Sequence, residues 1–402
     1  MIDLLIFLII FFLGWLINFE KLKPCLLFLL PVFEEIFRFF GRKYRLKYPL
    51  KISNLIEEYL NPQNTIETEF YTLNYSIRNF SLSNNSNVFP QFNPDFFINT
   101  NLCPSCNFIS HPFQTANSNE KDLILLFSFS KFINVDVLVR SIRSANCHAT
   151  IFIQTNDIGY NQIKSNPFYA KLSRKCGLYF QVLPFPRLSF NGKYLFKLFV
   201  RLSFLSSPLG QTFKRVLFID AFDSFLQGDP FFQEMRNDTI YFSAEDDYFI
   251  HDEIKAFNTL LNEREKLHLK EIEYYHMVNG AVYLGYITPM IDFLLFMFDG
   301  HVEYKDFESQ PGSLPQAPFK YDDQILLNMV LFGDIKRKPL PVKYHIFDPN
   351  FTICIHLATF RSISKEKYLG KIKFKNGSGY PPILHQINRH PVGSSTYDVC
   401  PK

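Results

Sequence analysis

Strand-like apolar runs alternate with helical repeats from Lys121 onward, and this alternation constrains the fold more than any other feature of the chain. Asp122 to Phe129 (DLILLFSF), Thr150 to Thr155 (TIFIQT), Leu178 to Phe185 (LYFQVLPF) and Arg215 to Asp220 (RVLFID) read as buried strands. Between them, Val135 to Ala145 repeats apolar residues at three and four, the period of a helix. Gly159 to Lys175 reads as helix with a break near Pro167, and Tyr194 to Leu205 as a further helix. Near-continuous apolar strands separated by helices imply an α/β domain: a mostly parallel sheet with helices on both faces. No internal repeat is visible.

Composition agrees. Hydrophobic residues make up 47% and charged residues 20%, enough apolar side chain for a large core and too much for a disordered tail. With Gly 16 and Pro 24, collagen-like and low-complexity classes are excluded. The net charge is +4, too small to argue for a nucleic-acid partner, and none is expected. Phe stands at 47 against one Trp, an excess that reads as biased codon usage, since Phe replaces Leu in cores at little cost.

The N-terminus bears on compartment. Leu4 to Ile17 is an uncharged apolar run, near the lower length for a bilayer-spanning helix once Asp3 and Asn18 are allowed at its ends. Trp15 suits the membrane interface. A cleaved signal peptide is the alternative, but no basic residue precedes the run and no small-x-small site follows it. Residues 1–20 are therefore expected to be a signal anchor, 21–118 a stem, and 119–402 the folded domain. Cys25 to Phe33, interrupted by Pro31, is too short to span alone.

Two signals of orientation conflict. Arg38, Arg42, Lys43, Arg45, Lys47 and Lys51 would hold their side in the cytoplasm. Six N-x-S/T sequons, at Asn74, Asn79, Asn84, Asn237, Asn350 and Asn376, point instead to a lumenal body. Of seven cysteines, Cys25 lies in an apolar segment. Cys103, Cys106, Cys147, Cys176, Cys354 and Cys400 are even in number and can pair in an oxidising lumen. The C-x-x-C at Cys103 to Cys106 lacks two further zinc ligands nearby.

The strand RVLFID ends in Asp220, and Asp223 follows in RVLFIDAFDSFLQGDPF. In open α/β sheets, ligands bind beyond the carboxyl ends of the strands. Mg²⁺ or Mn²⁺ with a substrate diphosphate takes one or two protein carboxylates, so the pair fits a metal-diphosphate clamp. A pair of turn or N-cap aspartates would look the same.

The segment resembles the acidic motif of nucleotide-diphospho-sugar transferases with the GT-A fold, in the branch with the pattern D-x-x-D-x-x-x-Q-x-D-P-F. Asp220, Asp223, Gln227, Asp229, Pro230 and Phe231 stand where that pattern has them. VNGAVYLGY (Val278 to Tyr286), DDQILLN (Asp322 to Asn328) and HQINRH (His385 to His390) resemble three later elements of the same enzymes, in the same order. The branch often has a basic residue between the two carboxylates, and this chain has Phe222.

The resemblance implies a GT-A-type, Rossmann-like domain that moves a sugar from a nucleotide-sugar to a hydroxyl acceptor on a glycan, glycoprotein or glycolipid, with Mn²⁺ or Mg²⁺. It implies Asp223 and His385 as metal ligands, and Asp220 as a ligand of the metal, of the donor ribose or of both. Lys197 and Arg201, at i and i+4 on one helical face, could reach the diphosphate, or form a solvated basic face. Asn279 and Gly280 would lie under the donor sugar, or form an ordinary turn. Asp322 or Asp323 would orient a hydroxyl or act as general base, or cap the helix they open. Glu245, Asp246 and Asp247 follow the strand TIYFSA and can line the same cleft. The implied setting is a single-pass type II protein of the endoplasmic reticulum or Golgi, body lumenal. Two other classes compete. A haloacid-dehalogenase-like phosphatase needs D-x-D on its first strand, whereas three strands precede this motif. An inactive lectin or scaffold with the transferase fold needs none of these side chains.

Overall fold

The apolar runs form the strands they predict. The computed structural model describes residues 88–89, 102–111, 115–128, 135–183, 190–248, 275–298, 323–333, 340–349, 351–359, 372–373, 379–390 and 395–400. These all belong to the unit Ser76–Lys402. In chain order they give β1 (Val88–Phe89), β2 (Asp122–Phe127), α1 (Val135–Ser144), β3 (Thr150–Thr155), α2 (Asp157–Ser165), α3 (Pro167–Cys176) and β4 (Leu178–Val182). Then follow α4 (Phe190–Ser206), β5 (Arg215–Asp220), β6 (Ser224–Leu226), β7 (Thr239–Tyr248), β8 (His276–Tyr286) and α5 (Ile287–Phe298). The rest are α6 (Asp323–Asn328), β9 (Lys343–Phe347), β10 (Cys354–His356), β11 (Ile383–His385) and α7 (Thr396–Val399).

The break expected near Pro167 is real. Asn166 donates its backbone N–H to Gln162 at the end of α2 and its side chain caps the start of α3, where Pro167 sits in the first turn. Gly177, at φ 69°, ends α3 in the left-handed region and turns the chain into β4.

Among the described residues eight strands form one sheet in the order β1-β4-β3-β2-β5-β8-β7-β9. Its centre, β4-β3-β2-β5, is parallel, and β9 joins β7 in parallel. β8 runs antiparallel between β5 and β7, and β1 antiparallel on β4. The chain moves outward from β2 to β4, then returns to place β5 on the other side of β2. Right-handed crossovers on such a path put α1 to α3 on one face and α4 on the other. The side chains show this. Ile124, Leu126, Ile151, Ile153, Leu217 and Ile219 share one core with Val135, Leu138, Val139 and Ile142 of α1. On the other face, the Phe152 ring lies 5.1 Å from that of Phe204 in α4. Both faces of the central strands are buried, which is why they read as unbroken apolar runs. A second, three-stranded sheet has the order β10-β11-β6.

Part of the segment read as stem is fastened to the domain. Cys103 pairs with Cys176 at the end of α3, and Cys106 with Cys400. His111 N–H donates to Gln227 (2.7 Å) and Asn117 N–H to Phe231 (2.8 Å), while Ala116 bridges Phe232. The C-x-x-C thus serves two long-range disulfides. Of the six cysteines expected to pair, four do, and Cys147 and Cys354 are buried free thiols. In the chain-entropy model, closing a loop of the Cys103–Cys176 length stabilises by about 4 kcal/mol. The full chain with Cys103→Ser and Cys106→Ser is expected to melt several degrees below the wild type, and the wild type to fall toward it in reductant. Equal melting of the two in oxidising buffer would show that the disulfides add nothing to the stability of the fold.

Among the described residues no helix is long and apolar enough to cross a membrane. The expected anchor at 1–20 lies outside those residues, as do the sequons at Asn74, Asn79, Asn84, Asn350 and Asn376. Asn237 is exposed, in a turn before β7.

Candidate metal and donor site

Asp220 is the last residue of β5, paired in register with Phe127 at the end of β2. These two strands flank the point where the strand order reverses, the usual ligand crevice of an open α/β sheet. Asp223 lies three residues on, just before β6. β6 pairs with β11 so that Ser224 faces His385, and Ile387 N–H donates to the Asp223 carbonyl (3.0 Å). The short sheet therefore carries His385, from the far end of the chain, to the carboxylates. Gln386, at φ 60°, then reverses the backbone in the left-handed region, a conformation non-glycine residues hold at some cost.

One ligand atom from each of Asp220, Asp223 and His385 falls within 4.8 Å of the others. His385 Nε2 lies 3.5 Å from Asp223 Oδ1 and 3.9 Å from Asp220 Oδ2. Two carboxylates and an imidazole converging in this way form a donor set that a single divalent cation can bridge, and Mn²⁺ accepts such mixed O/N ligation. The three residues fit the implied ion.

Lys197 of α4 sits beneath the cluster. Its ammonium donates to Asp220 Oδ1 (3.1 Å) and pairs with Asp323 Oδ2 (2.8 Å). Lys197 and Asp323 are both buried. Burial alone would lift the Asp220 carboxyl, but Lys197, His385 and Arg201 outweigh it and hold it below its ordinary value. Burial works against the charged imidazole of His385. Asp223, then Asp220 and Glu245, reverse that and raise its pKa. Arg201, on the same face of α4, is fully buried over the Phe218 ring at 4.7 Å and donates to the Ile219 carbonyl (3.4 Å). Its Nε and Nη1 have no hydrogen-bond partner among the described residues. The basic pair, read as reaching the diphosphate or as a solvated face, is inside the domain, Lys197 against the carboxylates and Arg201 behind β5.

Asn279 and Gly280 lie in β8 rather than in a turn. The Asn279 side-chain amide donates to Glu245, which also accepts from Gln324 (3.2 Å). Burial, outweighing these bonds, raises the Glu245 pKa. A Cβ at Gly280 would stand 3.2 Å from Gln324 N, Cα and Cβ, so the close approach made there is to the start of α6. Asn328 completes the attachment: its Oδ1 accepts from Val278 N–H (2.9 Å) and its amide donates to Val278 O (2.8 Å). Gln324 and Asn328 dock α6 on β8, which presents Asp323 to Lys197. Asp322 lies outside the described residues.

Gln227 and Asp229 of the acidic motif are structural bolts. Gln227 donates to Ile372 O (2.9 Å) and Pro381 O (2.6 Å) and accepts from Ile372 N–H (2.9 Å). Asp229 accepts from the Ser118 hydroxyl and backbone and from Phe231 N–H. His356 is the residue sequence reading missed. It lies beside His385, Nδ1 to Nδ1 at 3.0 Å. Burial, then His385, pushes its pKa well down. A groove lined by Arg236, Thr239, Tyr241, Lys343, Tyr344 and His345 begins at the N-terminal end of β7, the other end of the sheet, and is no part of this site.

Fold and site together define an α/β domain with a carboxylate–imidazole cluster at its switch point. No protein-family model and no curated protein matches the sequence. Among solved structures, the chain is similar to the glycosyltransferase GlyE of Streptococcus pneumoniae TIGR4 at 14% identity, with a TM-score of 0.38, and to its apo-form at 14% and 0.36. Each alignment covers 70% of this chain and 60% of the other, so this chain spans about three-fifths of the length of those proteins. Likeness at that level carries neither fold nor function, which rest on the geometry above.

Proposed function

We propose that the chain is a metal-dependent glycosyltransferase of the GT-A type, moving a sugar from a nucleotide-diphosphate sugar to a hydroxyl acceptor on a glycan, glycoprotein or glycolipid. The observation that carries this reading is the convergence of Asp220, Asp223 and His385 at the C-terminal end of β5. Those three residues would hold Mn²⁺ or Mg²⁺, which when bound supplies charge neutralisation at a departing diphosphate. Lys197 holds Asp220 in its ionised form and fixes one of its oxygens, leaving the other toward His385. Glu245, Asn279 and Gln324 tie β7, β8 and α6 together as the floor on which a donor sugar would lie. Arg201 adds a fixed positive charge behind Asp220. Asp323 holds Lys197, and the candidate base at the acceptor hydroxyl is, as the sequence resemblance implies, Asp322 or Asp323. The test is a panel of nucleotide-sugars incubated with the full-length protein and Mn²⁺ or Mg²⁺. Donor turnover that stops in EDTA and returns with added ion is expected for at least one donor. Turnover unaffected by EDTA, or none with any donor, would overturn the reading.

The proposed setting is a type II membrane protein of the endoplasmic reticulum or Golgi with a lumenal body. Two disulfides and an exposed sequon at Asn237 support an oxidising, glycosylating compartment. Glycosidase digestion of the protein made in such cells is expected to increase its mobility. Unchanged mobility together with protease attack from the cytoplasmic side would place the body there instead.

A further inference from the structure

We propose that His356 is a positioning residue for His385, accepting its Nδ1 proton and so keeping Nε2 open toward Asp220 and Asp223. This rests on the reading of those three residues as a cation site. β10 and β11 are parallel and in register, with His356 directly beside His385 and Leu357 N–H bonded to the His385 carbonyl (3.0 Å). Cross-strand neighbours in register project to the same face of a sheet. The two rings meet edge to face, at 86° between planes, with Nδ1 to Nδ1 at 3.0 Å.

One proton must lie between those two nitrogens, since two lone pairs at that distance repel and two protons clash. If it belongs to His385, then Nε2 of His385 carries the lone pair that a cation needs. If it belongs to His356, His385 must carry its proton on Nε2, against Asp223, and the cation is shut out. The surroundings favour the first. His356 is 2% exposed, and the Ser243 backbone carbonyl accepts from its ring, which uses the single N–H of a neutral imidazole. That leaves Nδ1, the nitrogen at the close contact with His385, as its acceptor. With His356 as acceptor, Nε2 of His385 can exchange a proton for a cation while the Nδ1 bond stays as it is. Metal-bound histidines generally give their second N–H to such a partner, and losing it typically costs 10- to 100-fold in metal affinity.

The experiment is calorimetric titration of the full-length protein with Mn²⁺, for wild type, Asp223→Asn, His356→Leu and His356→Asn, with melting curves as a folding control. His356→Leu is expected to bind Mn²⁺ about 10- to 100-fold more weakly. His356→Asn places Oδ1 where Nδ1 was and should recover most of the affinity. Wild-type affinity in His356→Leu, or no recovery in a folded His356→Asn, would overturn the positioning role. Absence of Mn²⁺ binding to the wild type, or full binding by Asp223→Asn, would instead overturn the cation site itself. A second measurement needs no folded His356 variant. Long-range ¹H–¹⁵N spectra of the wild type with Mg²⁺ should show His385 protonated at Nδ1, its signal assigned by loss in His385→Gln. Protonation at Nε2 would overturn the proposal.

Discussion

Asp223→Asn is expected to lower metal-dependent sugar transfer by about 10²- to 10³-fold, or about 2.7–4 kcal/mol, while melting barely moves. The carboxylate is partly exposed and faces His385 Nε2 at 3.5 Å, so the side chain looks into the site rather than into the core. The bond that fastens this turn uses the Asp223 backbone carbonyl, which Asn retains. Asn therefore keeps shape and local fold and loses the charge that would hold a divalent cation beside a diphosphate. His385→Ala should raise the Mn²⁺ concentration needed for half-maximal rate more than it lowers the maximal rate, because two carboxylates remain. If Asp220 and Asp223 are turn residues and nothing more, Asp223→Asn leaves activity in place, since Asn serves a turn or cap as well as Asp. Transfer rate against Mn²⁺ concentration decides. An Asp223→Asn enzyme within a few-fold of wild type would end the metal reading.

Central strands were legible because each is buried on both sides. TIFIQT and RVLFID form β3 and β5 with the bounds read from sequence, while of the run read to Phe129 the strand covers Asp122–Phe127 and Ser128 N–H still donates to Gln154 O. The break at Pro167 was legible because proline and the asparagine before it obey local rules. What depends on distant partners was not. β10 and β11 are three residues each, too short to show a period, and their pairing joins His356 to His385 across loops. A signal did exist: each histidine closes a short apolar run, CIH and ILH. Residues 102–118 have no period, yet disulfides and scattered backbone bonds fasten them to the domain. An even cysteine count could not say which cysteines pair. Lys197 and Arg201 were placed on one helical face correctly, but burial decides what a face does, and burial comes from α6 and β5. Gly280 was legible as a close approach, though the neighbour is a helix.

The largest stability effect is expected at Lys197. Lys197→Met should destabilise the fold by about 3–5 kcal/mol, because breaking a buried ion pair from one side strands the other charge. Met nearly fills the volume of the lysine stem, so lost packing contributes little. Asp323, 6% exposed, would lose the ammonium at 2.8 Å, and Asp220 the one at 3.1 Å. Replacing Asp323 as well should repair part of the damage, since Lys197→Met with Asp323→Asn leaves no stranded carboxylate on α6. The pH dependence carries a matching sign. Asp220 has a folded pKa below its ordinary value, owed to Lys197, His385 and Arg201 against the opposing effect of burial. A depressed carboxyl adds stability above its unfolded pKa and loses it as pH falls through the folded value. Without Lys197 that depression shrinks, so in EDTA the variant should unfold at a higher pH than wild type on acidification. Urea melts at neutral pH and acid titrations of the wild type, the single and the double variant test this together. A single variant as stable as wild type, or a double variant no more stable than the single, would mean that Lys197 carries no such charge pairing and that the carboxylates at this site are held by something else.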